Sequence, residues 1–176
     1  DGGTDFPRDR RLRQSGIGIC GGNHSSWSFS QALHGHIQQN DKAELVAAVM
    51  TIEAVALQPL SFPGGVVLWI DNKWVCEGVH NAGKGLLVPK STAHVWWWRR
   101  LEAAIASLPA DTVRAEWVPS HKTVADIALG LLTRDQQLLN AGADALASEG
   151  KSANKPATAL ADRVPKRAEI CKVVQQ

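Results

Sequence analysis

The stretch VVLWIDNKWV, residues 66–75, decides the fold of this chain. Its first five residues form a continuous apolar run rich in β-branched side chains after a Pro-Gly-Gly turn, a pattern typical of a strand buried on both faces. Asp71 follows at the carboxyl end of this strand. Since open α/β sheets bind ligands beyond the carboxyl ends of their strands, we expect Asp71 to lie at a ligand site.

Apolar periodicity on either side of this strand predicts a mixed α/β domain. Upstream, residues 15–22 and 27–33 are short runs with strand patterning, and from Asn40 the apolar residues change to helical spacing. Downstream, a helix is predicted around Trp97 and a last strand at residues 113–118. Elements in this order predict helices packed on a sheet.

Composition excludes several classes of protein. A chain of 176 residues is long enough for one domain with its own core. Its three cysteines have no C-x-x-C spacing, which argues against a zinc knuckle or a disulfide framework and favours a reducing compartment such as nucleus or cytoplasm. No apolar run reaches the length of a membrane span, so we expect no membrane partner.

Charge divides the chain near residue 150. Residues 1–150 carry 13 Lys and Arg against 15 Asp and Glu, a net charge of −2, whereas residues 151–176 carry 6 against 2, a net charge of +4. The second segment has two prolines and little apolar periodicity. We therefore expect a folded domain at residues 1–149 and a basic, disordered tail at residues 150–176, which is either a solvated linker or a nucleic-acid-binding arm.

Four acidic residues occur where such a fold would bring them together. Asp1 is expected at a strand end, Glu44 in the first turn of a helix, Asp71 at the end of another strand and Asp144 on the last helix. Two carboxylates about 4 Å apart repel each other by about 4 kcal/mol at an effective dielectric of 20, so four clustered acids need a cation. Oxygen ligands without paired Cys or suitable His spacing favour Mg²⁺ or Mn²⁺ over zinc.

Each acid taken alone also has a structural interpretation. Glu44 follows Asp41 by three residues, as in a capping box. Asp71 could be the N-cap of the next helix, Asp144 a solvated helix residue, and Asp1 a disordered terminal residue. Only the joint arrangement of the four acids indicates a metal site.

Five short motifs follow one another along the chain: DGG at Asp1, QNDKAEL at residues 39–45, WIDNKWV at 69–75, WVPSH at 117–121 and NAGADALA at 140–147. Together they resemble the successive motifs of type 1 ribonucleases H, over residues 1 to about 149. The resemblance implies a five-stranded mixed sheet with strand order 3-2-1-4-5, flanked by helices. Because Asp1 matches the end of the first strand, we expect most of that strand to be missing and its upstream residues to restore stability and activity.

The resemblance also implies the functional residues. Asp1, Glu44, Asp71 and Asp144 match the family's four metal-binding acids, and His121 matches its mobile catalytic histidine. The expected substrate-binding residues are Asn40, Asn72, Lys73 and Asn140.

The implied activity is hydrolysis of the RNA strand of an RNA–DNA hybrid, which leaves 3′-hydroxyl and 5′-phosphate ends. The implied cofactor is a pair of Mg²⁺ ions, for which Mn²⁺ can substitute, and two such ions about 4 Å apart would clamp the attacking and leaving oxygens. Recognition of 2′-hydroxyls across the minor groove would explain the requirement for ribose. The expected partners are the hybrid and a reverse transcriptase domain in the same parent protein.

Three departures from the family pattern stand out. An Arg-rich segment replaces the glycine-rich loop after the first acid, Asp41 and Lys73 occur where Asn and Gln are frequent, and the stretch between His121 and Asp144 is longer than in compact bacterial members. The longer stretch resembles an insert of retroelement-associated domains. The rival hypothesis is a catalytically inactive domain that binds hybrids or acts as a scaffold, and the presence of all four acids favours activity.

Overall fold

The structure, a computed structural model, describes residues 2–5, 13–22, 25–35, 37–58, 62–86, 93–120 and 124–153. Within these ranges the strands are β1 (Gly2–Asp5), β2 (Gln14–Ile19), β3 (Phe29–Ala32), β4 (Val66–Ile70) and β5 (Val113–Trp117). The helices are α1 (Asn40–Leu57), α2 (Lys73–Gly83), α3 (Val95–Ala106), α4 (Val124–Ala128) and α5 (Arg134–Ser152), with a 3-10 turn at Ser25–Trp27. The predicted α/β class is confirmed.

The described strands form two sheets. β1, β2 and β3 are antiparallel, with Gly2 opposite Ile17 and Gly16 opposite Ala32, and β4 is parallel to β5. The pairings have the neighbours of the 3-2-1 and 4-5 parts of the expected order, but β1 follows Asp1, whereas the expected first strand ends there. No β1–β4 pairing joins the two sheets in the described part of the chain. The order of all five strands therefore stays a prediction.

Three boundaries differ from the sequence prediction. β1 is formed by residues that follow Asp1, where an Arg-rich loop was expected to begin. Trp27, predicted as the start of a strand, lies instead in the 3-10 turn, and β3 begins at Phe29. At the other end, α5 continues to Ser152, past the expected boundary at residue 149. Residues 154–176 of the predicted tail lie outside the described residues.

The prediction that β4 is buried on both faces was wrong. Val67 and Trp69 are 39% and 37% exposed, whereas Leu68 and Ile70 pack against the core. Among the described helices, α1, α2 and α3 contribute side chains to this core, and these side chains pack on one face of β4. All five residues of β4 line the cavity described below.

α1 supplies the centre of the core, as its periodicity predicted. Leu45, Val49 and Ile52 are fully buried, and they pack with residues of α2 and α3. Within α3, Trp98 is fully buried and meets Trp74 edge-on, with ring centroids 4.8 Å apart. The spacing of α1 therefore identified one buried face of this helix. Another side is buried as well, where a second cluster contains Ala43, Val46 and Ala47.

α5 packs directly on the backbone of β2. A Cβ atom added at Gly18 would lie 2.0 Å from the carbonyl oxygen of Ala143, and one at Gly16 would lie 1.9 Å from that of Ala147. Such an approach requires glycine, since real Cβ atoms essentially never come this close. The contact sets the distance between β2 and the helix that carries Asp144.

Candidate active site

A cavity of about 720 Å³ lies between β2, α1, β4 and α5. Glu44, Asp71 and Asn140 line it, each from a different element. Glu44 is 4% exposed and sits one turn into α1, and Asp71 directly follows the last residue of β4. Three residues predicted to act together, from distant parts of the sequence, thus border one space.

The described structure does not add the other two predicted acids, Asp144 and Asp1, to this group. Asp144 is half-buried on α5, next to Ala143, which lines the cavity. Asp1 and His121 lie outside the described residues. Within the described ranges, no group of three or more His, Cys, Asp and Glu side chains is placed to hold a metal ion. The four-acid site therefore remains a prediction.

Two of the structural alternatives for the acids are wrong. The N-cap of α1 is Gln39, which makes no side-chain capping bond, so Asp41 and Glu44 do not form a capping box. The N-cap of α2 is Asn72, whose side chain accepts a hydrogen bond from the Val75 amide, so Asp71 is not a cap. Helix capping therefore does not explain the acids at positions 44 and 71.

The predicted substrate-binding residues have different surroundings. Asn40 is exposed at the start of α1, and Asn140 lines the cavity. Lys73 is exposed and lies 3.9 Å from the carboxylate of Glu77, a distance at which an exposed pair contributes little. Asn72 caps α2 and also donates to Asp41 Oδ1 at 3.1 Å, so its amide joins the starts of α1 and α2.

Trp117, which sequence reasoning did not select, contacts the backbone of Asp71. Its indole Nε1 donates to the carbonyl oxygen of Asp71 at 2.9 Å. The Val118 amide donates to the carbonyl oxygen of Ile70 at 3.0 Å and so extends the β4–β5 ladder to the same point. The sequence feature that could have identified Trp117 is its place as the last residue of β5, the strand that pairs with β4.

Two buried side chains that the sequence did not indicate, those of Gln38 and Lys42, hold the start of α1. The Gln38 amide donates to the carbonyl oxygens of Leu33 and Gly35 at 2.7 and 2.6 Å. Lys42 Nζ donates to two further carbonyls of the same loop, both at 3.1 Å, and burial lowers the pKa of Lys42. These bonds satisfy loop carbonyls and fix the turn of α1 that precedes Glu44.

His94 lies at the start of α3 with a left-handed φ of 62°. Burial and the positive charge of Lys42 lower the pKa of His94, and the negative charge of Asp41 opposes this shift. Lys42 and Asp41 belong to the first turn of α1, so His94 lies near that turn, and α1 and α3 share one core cluster.

Comparison with known proteins identifies the fold independently. Among solved structures, the PFV RNase H domain matches with a TM-score of 0.63 and 19% identity, covering 87% of this chain and 92% of that chain. The Prototype Foamy Virus protease-reverse transcriptase matches with a TM-score of 0.54 and 20% identity over 86% of this chain. A foamy viral protease-reverse transcriptase in complex with an RNA/DNA hybrid matches with a TM-score of 0.54 and 16% identity.

The extent of these matches differs. The chain spans 20% and 19% of the two protease-reverse transcriptase chains, so it corresponds to one part of them. No curated protein matches its sequence. No helix among the described residues combines the length and the apolar character that crossing a membrane requires. A family model described as RNase H matches residues 4–152, which is most of the chain. The protein therefore belongs to the RNase H family.

Proposed function

We propose that this protein is an endonuclease that hydrolyses the RNA strand of RNA–DNA hybrids in a metal-dependent reaction and leaves 3′-hydroxyl and 5′-phosphate ends. One observation carries the proposal. Glu44 and Asp71, on separate elements of a chain in the RNase H family, line one cavity together with Asn140. Neither acid is used as a helix cap, and a cation between carboxylates would offset their mutual repulsion.

The chemistry of the donors supports Mg²⁺ as the cofactor. Two carboxylate residues, Glu44 and Asp71, and one amide residue, Asn140, line the cavity, and hard cations such as Mg²⁺ and Mn²⁺ prefer oxygen ligands. In the proposal Asp1 and Asp144 complete the set of ligands. When bound, two Mg²⁺ ions would supply an ionised water as nucleophile and would neutralise charge on the leaving oxygen.

The protein's own residues would orient the substrate and move protons. Asn40, exposed at the start of α1, and Asn140, in the cavity wall, would donate to the sugars and bases of the minor groove. Exposed Lys73 would contact a phosphate. His121 would accept or donate a proton near the scissile bond.

The solved structures support the choice of partners. One foamy viral match is a protease-reverse transcriptase in complex with an RNA/DNA hybrid, and the part of it that resembles this chain is about a fifth of its length. By analogy, we propose that the substrate here is an RNA–DNA hybrid. We also propose that the parent protein carries a reverse transcriptase domain.

A cleavage assay tests the proposal. The protein should cut the RNA strand of a hybrid in Mg²⁺, but not duplex DNA or duplex RNA, and EDTA should stop the reaction. Asp71→Asn should abolish cleavage while hybrid binding is kept or improved, because the change removes a ligand and one negative charge near the phosphates. Wild-type cleavage by Asp71→Asn would contradict the assignment, and wild-type protein that binds hybrid without cutting it would establish the inactive-domain alternative.

A further inference from the structure

We propose that Trp117 is a positioning residue for Asp71 and that its indole N–H fixes the backbone from which this candidate metal ligand projects. The inference rests on the proposed function, since Asp71 needs a fixed geometry only if it holds a cation. Trp117 itself would touch neither the metal nor the substrate in this role.

The β4–β5 register places the indole where it can act. Trp117 is the last residue of β5 and lies opposite Ile70, the last residue of β4. The backbone ladder continues with the bond from Val118 to Ile70, and the indole then donates to the carbonyl oxygen of Asp71, one residue further along. A side-chain bond thus prolongs the ladder to the residue that carries the carboxylate.

The residue after Asp71 is held as well. Asn72 accepts from the Val75 amide at 3.2 Å and donates to Asp41 at 3.1 Å, which ties this point of the chain to α2 and α1. The backbone around Asp71 is thereby held from β5, α1 and α2. Metal ligation needs such precision, because productive sites tolerate errors of only about 0.5 Å in their ligands.

The exposure of Trp117 separates this role from ordinary packing. A tryptophan that served the core would be buried like Trp98, which is 1% exposed, whereas Trp117 is 52% exposed. Its hydrogen bond is thus formed at the edge of the domain, beside the residue that follows β4. Loss of the bond should affect the geometry of Asp71 more than the stability of the fold.

Trp69 provides a matched control in the neighbouring strand. It is 37% exposed, and its indole Nε1 donates to Glu116 Oε2 at 2.9 Å, the same length as the bond from Trp117 to Asp71. Glu116 is not a proposed ligand. Trp69→Phe and Trp117→Phe therefore remove the same donor from a partly exposed indole. Trp69 also lines the candidate cavity, so the pair controls for the loss of an indole near the site, and only Trp117 bonds to a proposed metal ligand.

The experiment measures Mn²⁺ binding by calorimetry on wild type, Trp117→Phe and Trp69→Phe, together with the melting temperature of each without metal. Loss of a hydrogen-bond partner that orients a metal ligand typically weakens metal binding about 10-fold to 100-fold, so we expect Trp117→Phe to fall in that range. Trp69→Phe should weaken Mn²⁺ binding less than Trp117→Phe does, because it removes no hydrogen bond to a proposed ligand. The two variants should melt at similar temperatures, and excess Mg²⁺ should restore cleavage by Trp117→Phe.

A second measurement serves if Trp117→Phe does not fold. In wild-type protein, the assigned NMR resonance of the Trp117 indole N–H should shift on titration with Mg²⁺, and the shift should vanish in Asp71→Asn. Equal Mn²⁺ affinities of the two tryptophan variants, or an indole resonance that Mg²⁺ leaves unmoved in a wild type that binds the ion, would overturn the positioning role. Wild-type protein that binds no divalent ion would instead overturn the proposed function.

Discussion

Gly18→Ala should impair both the stability and the catalysis of this protein, because the new methyl group would separate β2 from α5. The added Cβ would lie 2.0 Å from the Ala143 carbonyl oxygen and 2.4 Å from the Ala147 amide nitrogen. Both atoms belong to backbone, so no flexible side chain can move aside. Ordinary contact begins at 3.4 Å, and the two elements must therefore separate by about 1.4 Å.

The magnitude follows from this displacement. Overpacking of this kind typically costs about 1–3 kcal/mol of the free energy of unfolding. α5 also carries Asp144 and Asn140, so these residues would move relative to Asp71. Since a misplacement of about 1 Å in a catalytic arrangement can cost about 100-fold in rate, we expect cleavage to fall by roughly that factor even where the variant remains folded.

Gly83→Ala is the control for this prediction. Nothing lies within 4 Å of a Cβ added at Gly83, the last residue of α2. Alanine there should leave cleavage unchanged and leave stability unchanged or raised by up to about 1 kcal/mol. Urea denaturation and hybrid cleavage should be measured on both variants. If Gly18→Ala behaves like Gly83→Ala in both assays, the close approach of β2 and α5 is not a real constraint.

Three further predictions concern other parts of the chain. His121→Ala should slow turnover and leave Mn²⁺ binding intact, since a proton shuttle assists a step that the ions already promote; a loss as complete as that of Asp71→Asn in single-turnover cleavage would refute this division of roles. Deletion of residues 151–176 should make the salt dependence of hybrid binding shallower by about 0.9 for each phosphate that the tail neutralises, and equal slopes would identify the tail as a linker. The pKa of His94 is below its ordinary value in the folded state, so protonation favours the unfolded chain, and the free energy of unfolding should fall as the pH drops below about 6.5. His94→Asn should make that fall smaller in urea titrations at a series of pH values. An unchanged pH profile would exclude His94 as its source.

Local patterns in the sequence were sufficient to predict much of the fold. The helical spacing of Leu45, Val49 and Ile52 identifies one buried side of α1, because each turn presents the same face every three to four residues. It did not show that the opposite side of the first turns is buried too. The motif order around Glu44 and Asp71 predicted the family, which the family-model match over residues 4–152 confirms. Neither inference needs a distance between elements.

The capping alternatives show why sequence spacing could not decide the role of individual acids. Asp41 and Glu44 have the spacing of a capping box, but the helix begins at Asn40, so both residues are already inside it. Asp71 precedes a helix, but the cap is the next residue, Asn72. A shift of one or two residues in a helix start is enough to change the role of a carboxylate, and periodicity does not resolve boundaries that finely.

The sequence by itself determined the order of the elements, one buried face of α1 and the family to which the motifs belong. Only the tertiary structure decided that β4 has an exposed face, that Gly18 lies against α5, and that the Trp117 indole reaches the Asp71 carbonyl. The reason is physical. Periodicity records which face of an element avoids water, whereas a contact such as that between residues 71 and 117 depends on how two elements pack, and packing is set by all of their side chains together.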